Sequence, residues 1–388
     1  MKSNNRRPLR LKDTGLALAL TLCAVAVGAA EVGPSGWAVR PYASVRAEAW
    51  SNGVPVFQLD GDWSSDYRMR HDTQRAEVQG RAEAGVAVAF SEAGRDNPWR
   101  IGALARVDGT ARLSGEAAQV LYHYQSRTDP DAPVRYNADT NLMMWAGRGV
   151  ALHLPAVRMG QLGLEVGWDQ LILQRLRTIH SQGEVGYQAD DSYAFRGTLR
   201  DDNHEATTPF LPPARAQGHG QALSMALTWA RPAGEAGAPL WPDRWRLDVR
   251  DVWSRLTWSG LIRDDAVLDS AVSTRTPEGR IEYRAAINGQ YSQIEAVKRI
   301  PVATRWQADW DRANGTWTLT LAHRIGLWQR WLDWQSPGTV RLRVGMEPFV
   351  GVARVGVAWQ GLEASLMSGF GEASGHVRGL QMSWMLGF

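Results

Sequence analysis

Cysteine and lysine are almost missing from this chain: 388 residues contain a single cysteine, Cys23, and only three lysines against 40 arginines. Once a leader ending near Ala30 is removed no cysteine remains, a composition that suits an oxidising envelope compartment. Long apolar runs are also absent after residue 30. That excludes a helical membrane protein, which needs roughly 20 consecutive apolar residues per span. GxSxG, HExxH, Walker and dinucleotide-glycine motifs do not occur, and the eight histidines are scattered. No catalytic group, cofactor or metal is therefore expected; the acidic knots Asp201, Asp202, His204, Glu205 and Asp264, Asp265, Asp269 read as solvated loop residues. The basic excess of the full chain also vanishes on inspection. Residues 1–30 hold five basic and one acidic side chain, leaving 38 basic against 39 acidic from residue 31 onward. Charge gives no reason to expect a nucleic-acid partner.

What is present begins with a secretory signal. Lys2, Arg6, Arg7, Arg10 and Lys12 form a basic start, Gly15 to Val27 an apolar run too short to span, and Gly28-Ala29-Ala30 a small-residue cleavage site. Leu22 stands where a lipoprotein signal before Cys23 would need a small residue. From there a period of two dominates. Val340, Leu342, Val344 and Met346 alternate with Arg341, Arg343, Gly345 and Glu347; Trp317, Leu319, Leu321 and Ile325 oppose Thr316, Thr318, Thr320 and Arg324. Ile281, Tyr283, Ala285, Ile287 and Tyr291 do the same against Glu282, Arg284, Asn288 and Gln290. This is the pattern of strands with one apolar and one polar face. Asn314-Gly315 is the best hairpin signal, suited to a type I′ turn. Residues 126–140, 200–220, 230–243 and 263–279 read as loops.

The final nine residues carry the pattern to the end of the chain: Leu380, Met382, Trp384, Leu386 and Phe388 alternate with Gln381, Ser383, Met385 and Gly387. This segment resembles the closing strand of Gram-negative outer-membrane β-barrel proteins, whose assembly machinery reads a terminal aromatic preceded by alternating apolar residues. The resemblance covers about ten residues, one strand's length. It implies an all-β, transmembrane, antiparallel up-and-down β-barrel in the outer membrane, with Trp384, Leu386 and Phe388 as the assembly signal. The implied partners are outer-membrane lipid, the barrel assembly machinery and, for an export role, periplasmic export proteins. At about 10 residues per strand plus connections, residues 31–388 make one domain of about 16 strands, within a range of 14–18.

Inside such a barrel the polar faces become the bore. Glu282, Arg284, Arg305, Asp309, Arg324, Arg341, Arg343 and Glu347 are the expected bore-lining residues, and their interleaved signs imply a narrow or partly plugged channel without strong ion preference. Nineteen tryptophans recur near strand ends, as Trp37, Trp50, Trp99, Trp168, Trp229, Trp245, Trp310, Trp317, Trp359 and Trp384 do, and read as interface girdles. Trp328, Trp331 and Trp334 are spaced by three, which suggests a bent loop or short helix, and they are the candidate platform for stacking a sugar. Passage of a hydrophilic solute or polymer, exopolysaccharide included, is the first expected function. A lipid-processing barrel enzyme and a structural or assembly barrel are the alternatives.

Overall fold

The computed structural model describes residues 37–54, 67, 71–90, 97–189, 192–205, 217–232, 240–270, 273–275, 281–283, 286–369 and 377–385. Nineteen strands follow one another: β1 (Ala38–Ser51), β2 (Gln74–Ala89), β3 (Trp99–Leu113), β4 (Val134–His153), β5 (Val157–Met159), β6 (Leu162–Tyr187), β7 (Tyr193–Asn203), β8 (Gln217–Ala230), β9 (Arg244–Asp269), β10 (Ser273–Arg275), β11 (Ile281–Tyr283), β12 (Ala286–Lys298), β13 (Ala303–Arg312), β14 (Gly315–Arg324), β15 (Leu327–Gln335), β16 (Val340–Glu347), β17 (Val352–Trp359), β18 (Leu362–Gly369) and β19 (Arg378–Met385). A helix, α1 (Gly115–Ser126), interrupts them between β3 and β4. No helix among the described residues is long and apolar enough to cross a membrane.

Fourteen of the strands close into an antiparallel ring in the order β1, β2, β3, β4, β6, β8, β9, β13, β14, β15, β16, β17, β18, β19. Eight register pairs, from Tyr42↔Met385 to Ala49↔Arg378, join β19 back to β1. Closure leaves the ring with no open sheet edge. The ring holds 14 strands where 16 were expected, because much of the chain is spent outside it. β6 and β9 are 26 residues each and β4 is 20. Their ends nearer the two chain termini belong to the ring, and their other ends continue beyond it.

There β6 pairs with β7, β7 with the Ile262–Asp269 end of β9, and β9 with β12. An extension of β4, β6, β7, β9 and β12 thus rises from one side of the ring, while β16, β17, β18 and β19 on the other side are only eight residues each. The segments 134–140 and 263–269, read above as loop, are strand within this extension. β10 and β11 form a separate two-stranded hairpin.

The turns follow the backbone chemistry only in part. A hairpin does join β13 to β14 at Asn314-Gly315, but Ala313 and Asn314 stay at negative φ and only Gly315 is positive, at 131°. The expected type I′ geometry occurs instead at Ile325-Gly326 (φ 46° and 82°) and Gln360-Gly361 (φ 44° and 82°). The helix α1 lies at the rim away from the termini. Ser114 caps it by accepting the Ala117 N–H at 3.1 Å. Its Ala117 and Ala118 are buried with Val54, Tyr67, Ala76 and Leu113.

Candidate functional site in the barrel bore

Alternation along each strand sends one side-chain set outward and the other into the ring. On β16 the outward set, Val340, Leu342, Val344 and Met346, is about half exposed, while Gly345 and Glu347 are buried. The inward set of the whole ring has two parts. Apolar side chains gather in two places: Leu104, Trp145, Leu171, Leu173, Leu256, Trp258 and Leu261 at the root of the extension, and Trp50, Leu327, Trp331, Val352 and Val377 at the far rim. Gly218 and Gly220 on β8 make the first cluster fit. A Cβ on Gly218 would stand 2.7 Å from the Trp258 ring, and one on Gly220 would stand 2.6 Å from Leu256.

The rest of the bore is an arginine–carboxylate lattice. Arg324 on β14 donates to both oxygens of Asp108 on β3, at 2.7 and 2.8 Å, and both side chains are buried. These strands lie six positions apart around the ring of 14, so the pair crosses almost the full width of the bore. Opposite walls come within reach of one arginine, and the barrel is pinched there. Gln329 to Glu77, at 3.4 Å, bridges β15 to β2 beside it. Arg106 grips Asp251 through both oxygens at 2.6 and 2.7 Å, Arg81 grips Asp169 at 2.6 and 3.0 Å, and Asp333 holds Arg354 and, at 3.5 Å, Arg343. Such bidentate forks fix two strands at a set distance. Trp50 from β1 meets Trp331 from β15 edge-on with ring centroids 6.1 Å apart, a second crossing of the bore.

Towards the rim that carries the termini, a cavity of about 200 Å³ remains among these groups. Arg46, Arg81, Arg100, Arg106, Arg246 and Arg250 line it together with Asp108, Glu165, Asp169, Asp248 and His153. Glu83, buried next to it, accepts hydrogen bonds from Tyr42 and from His153 Nε2, the latter at 2.8 Å.

The residues singled out from sequence are not all brought together. Arg305, Asp309, Arg324 and Arg343 share the inward register. Asp309 accepts from Arg244 at 2.9 Å and from Thr318 at 2.8 Å, and Arg343 reaches Glu363 at 3.2 Å. Glu347 is buried but serves its own turn, accepting the Val350 N–H at 2.6 Å. Arg341 is exposed at the terminal rim. Glu282 falls on β11, in the hairpin outside the ring, and Arg284 lies outside the described residues. Trp328, Trp331 and Trp334 stand on a straight strand, β15, not on a loop or helix. Spacing by three on a strand puts neighbours on opposite faces, so the three share no platform. Trp328 faces outward beside His323, at 4.6 Å between rings, while Trp331 is buried in the bore with the Arg354 guanidinium 4.4 Å above it.

Of the tryptophans read as girdle, Trp99, Trp229, Trp245, Trp310, Trp317, Trp359 and Trp384 all sit at strand ends on the terminal rim, with Trp229 opposite Trp245 and Trp310 opposite Trp317. Trp50 departs from that reading, since it is 1% exposed inside the bore. Trp168 lies further along its strand and stacks on Trp253 at 5.7 Å. Of the assembly-signal residues, Trp384 pairs with Ala43 and Leu362 across both neighbouring strands, and Leu386 and Phe388 lie outside the described residues.

Neither protein-family models nor curated proteins give a match to this chain. The bore must speak for itself. Its most telling residues, Asp108, Asp251, Arg106 and Arg250, are ones the sequence reading passed over. A signal existed for two of them, because Arg100, Arg106 and Asp108 alternate with Ile101, Ala103, Ala105 and Val107 along β3. Nothing in the sequence announces which of 40 arginines meet across the ring. Among the described residues no group of three or more His, Cys, Asp or Glu is placed to hold a metal ion.

Proposed function

We propose that this chain is an outer-membrane β-barrel that passes a small hydrophilic solute through its bore, and that the arrangement described above is its closed state. The observation that carries the reading is the division of side chains between the two faces of one closed ring. Outside there is an apolar band bordered at the terminal rim by tryptophans, as an interface between lipid and water requires. Inside there are charges grouped about a cavity. A strand of eight to ten residues, at about 3.3 Å each, is 26–33 Å long, which after tilt matches an apolar band about 25 Å tall. The extension on β6 and β9 then projects beyond the bilayer on the side away from the termini, the cell exterior.

Closure follows from the crossings. The Arg324–Asp108 and Trp50–Trp331 contacts join opposite walls, so solute passes only when they part. A polymer would need all of them parted at once, which favours a small solute over an exopolysaccharide. Conductance of the purified full chain in planar bilayers tests this. The wild type should open rarely, and Asp108→Asn or Arg324→Met should raise the open fraction at least tenfold. Baseline current from the wild type and both variants, with the barrel folded, would sink the reading.

A further inference from the structure

Many arginines of the bore are engaged by carboxylates; Arg100 and Arg250 at the cavity, and Arg305 beside it, are not. Among the described residues Arg100, Arg250 and Arg305 have no carboxylate within ion-pair distance and no hydrogen-bond acceptor, although all three are only partly exposed. Their nearby acids are taken by others. Glu48, a charged neighbour of both Arg250 and Arg305, is held by Arg46 at 2.7 Å. Asp251, next to Arg250, is gripped by Arg106, and Glu83 near Arg100 is satisfied by Arg81, His153 and Tyr42. Arg100 and Arg250 both line the cavity, and Arg305 stands on the adjoining strand opposite Asp248, another lining residue.

A charge withdrawn from bulk water without a partner is expensive, and a guanidinium is a planar fork shaped for two oxygens of one anion. We propose that the cavity is a binding site for a small solute bearing an oxyanion, phosphate or carboxylate, taken by Arg100 and Arg250 with Arg305 behind them. This rests on the solute-passing reading and deepens it by naming the chemistry of the solute. The volume agrees. In a cavity of about 200 Å³, where on the order of 10–15 Å³ already seats one water, a phosphate or carboxylate group with its immediate substituent has room.

Isothermal titration of the detergent-purified full chain with inorganic phosphate, and separately with citrate, against chloride at matched ionic strength tests the site. Saturable binding of one or both is expected, and which of the two binds assigns the oxyanion. Arg100→Gln and Arg250→Gln should each weaken it about tenfold or more, as expected for hydrogen bonds to a charged group. Arg158→Gln, an exposed arginine of β5, should leave it unchanged. If Arg250→Gln does not yield a folded barrel, Arg250→Lys, which keeps the charge and loses the fork, must still weaken binding. No saturable heat with either anion, or equal affinity in wild type and the Arg100 and Arg250 variants, overturns the site. Binding that persists without any conductance upholds the site and removes only the channel.

Discussion

At the scale of single residues the Arg324–Asp108 contact sets the firmest expectations. Breaking a buried ion pair from one side strands the other charge, a loss of about 3–5 kcal/mol, whereas replacing both partners by apolar groups of similar size is close to neutral. Asp108→Leu or Arg324→Met alone should therefore lower the unfolding midpoint in urea sharply, and the double variant should recover most of it. Equal losses in the singles and the double would show that the two groups do not act as a pair. A second expectation concerns pH in the extension. Burial opposes ionisation of Asp202, but hydrogen bonds from Arg263 at 2.7 Å and Lys298 at 2.9 Å outweigh it and hold the carboxyl at about 2, below its ordinary 3.8. A lowered folded pKa stabilises above the unfolded value and is lost as pH falls through the folded one. Protection of β7 amides, that is exchange corrected for its intrinsic pH dependence, should thus be constant above about pH 4 and fall toward pH 2, and Asp202→Asn should remove that dependence. The sequence showed Asp202 only as one member of an acidic knot. Its partners come from β9 and β12, 61 and 96 positions away, and no local pattern carries that pairing.

Strands, more than turns, are where the sequence was most legible. The alternations at 316–325 and 339–347 reappear as β14 and β16 with the expected faces, because a one-residue slip would turn every apolar side chain into the bore. The spacing of three among the tryptophans of β15 suggests a bend, yet the segment is a strand that simply uses both of its faces. The turn at Gln360-Gly361 leads to another expectation. Gln360 holds a left-handed conformation that costs an ordinary residue roughly 1–2 kcal/mol and asparagine less. Gln360→Asn should stabilise the β17–β18 hairpin by recovering part of that, read as a higher urea midpoint. Gly218→Ala should do the reverse by about 1–3 kcal/mol, since the new methyl overlaps the Trp258 ring and Leu173.

For the whole molecule, closure was foreseeable from the resemblance carried by the last strand and not from the two-faced strands, which a sandwich would also show; the number of strands was not. Division of length by strand length assumes equal strands, and β6 and β9 are each more than twice an ordinary transmembrane strand of about 9–11 residues. The scarcity of cysteine makes the proposed orientation easy to test. Replacing Cys23 by serine and introducing a cysteine at Thr198 in the extension or at Gln360 in a terminal-rim turn gives two single-site reporters. A membrane-impermeant maleimide should label Thr198→Cys on intact cells and leave Gln360→Cys unlabelled until the outer membrane is opened. Labelling of Gln360→Cys first would invert the assignment. On the outer-membrane reading proposed above, deleting Phe388 should leave the chain in the periplasm; undiminished insertion would weaken the resemblance to the closing-strand signature.

The uneven height of the ring also bears on what surrounds it. On the reading proposed above, β16 to β19 end near the bilayer surface while the extra length of β4, β6 and β9 stands in water, its exposed face laced with ion pairs such as Arg177–Asp201, Arg196–Asp269 and Arg200–Asp265. Pairs of that kind are screened by salt, so rising ionic strength should loosen the extension before it touches the ring.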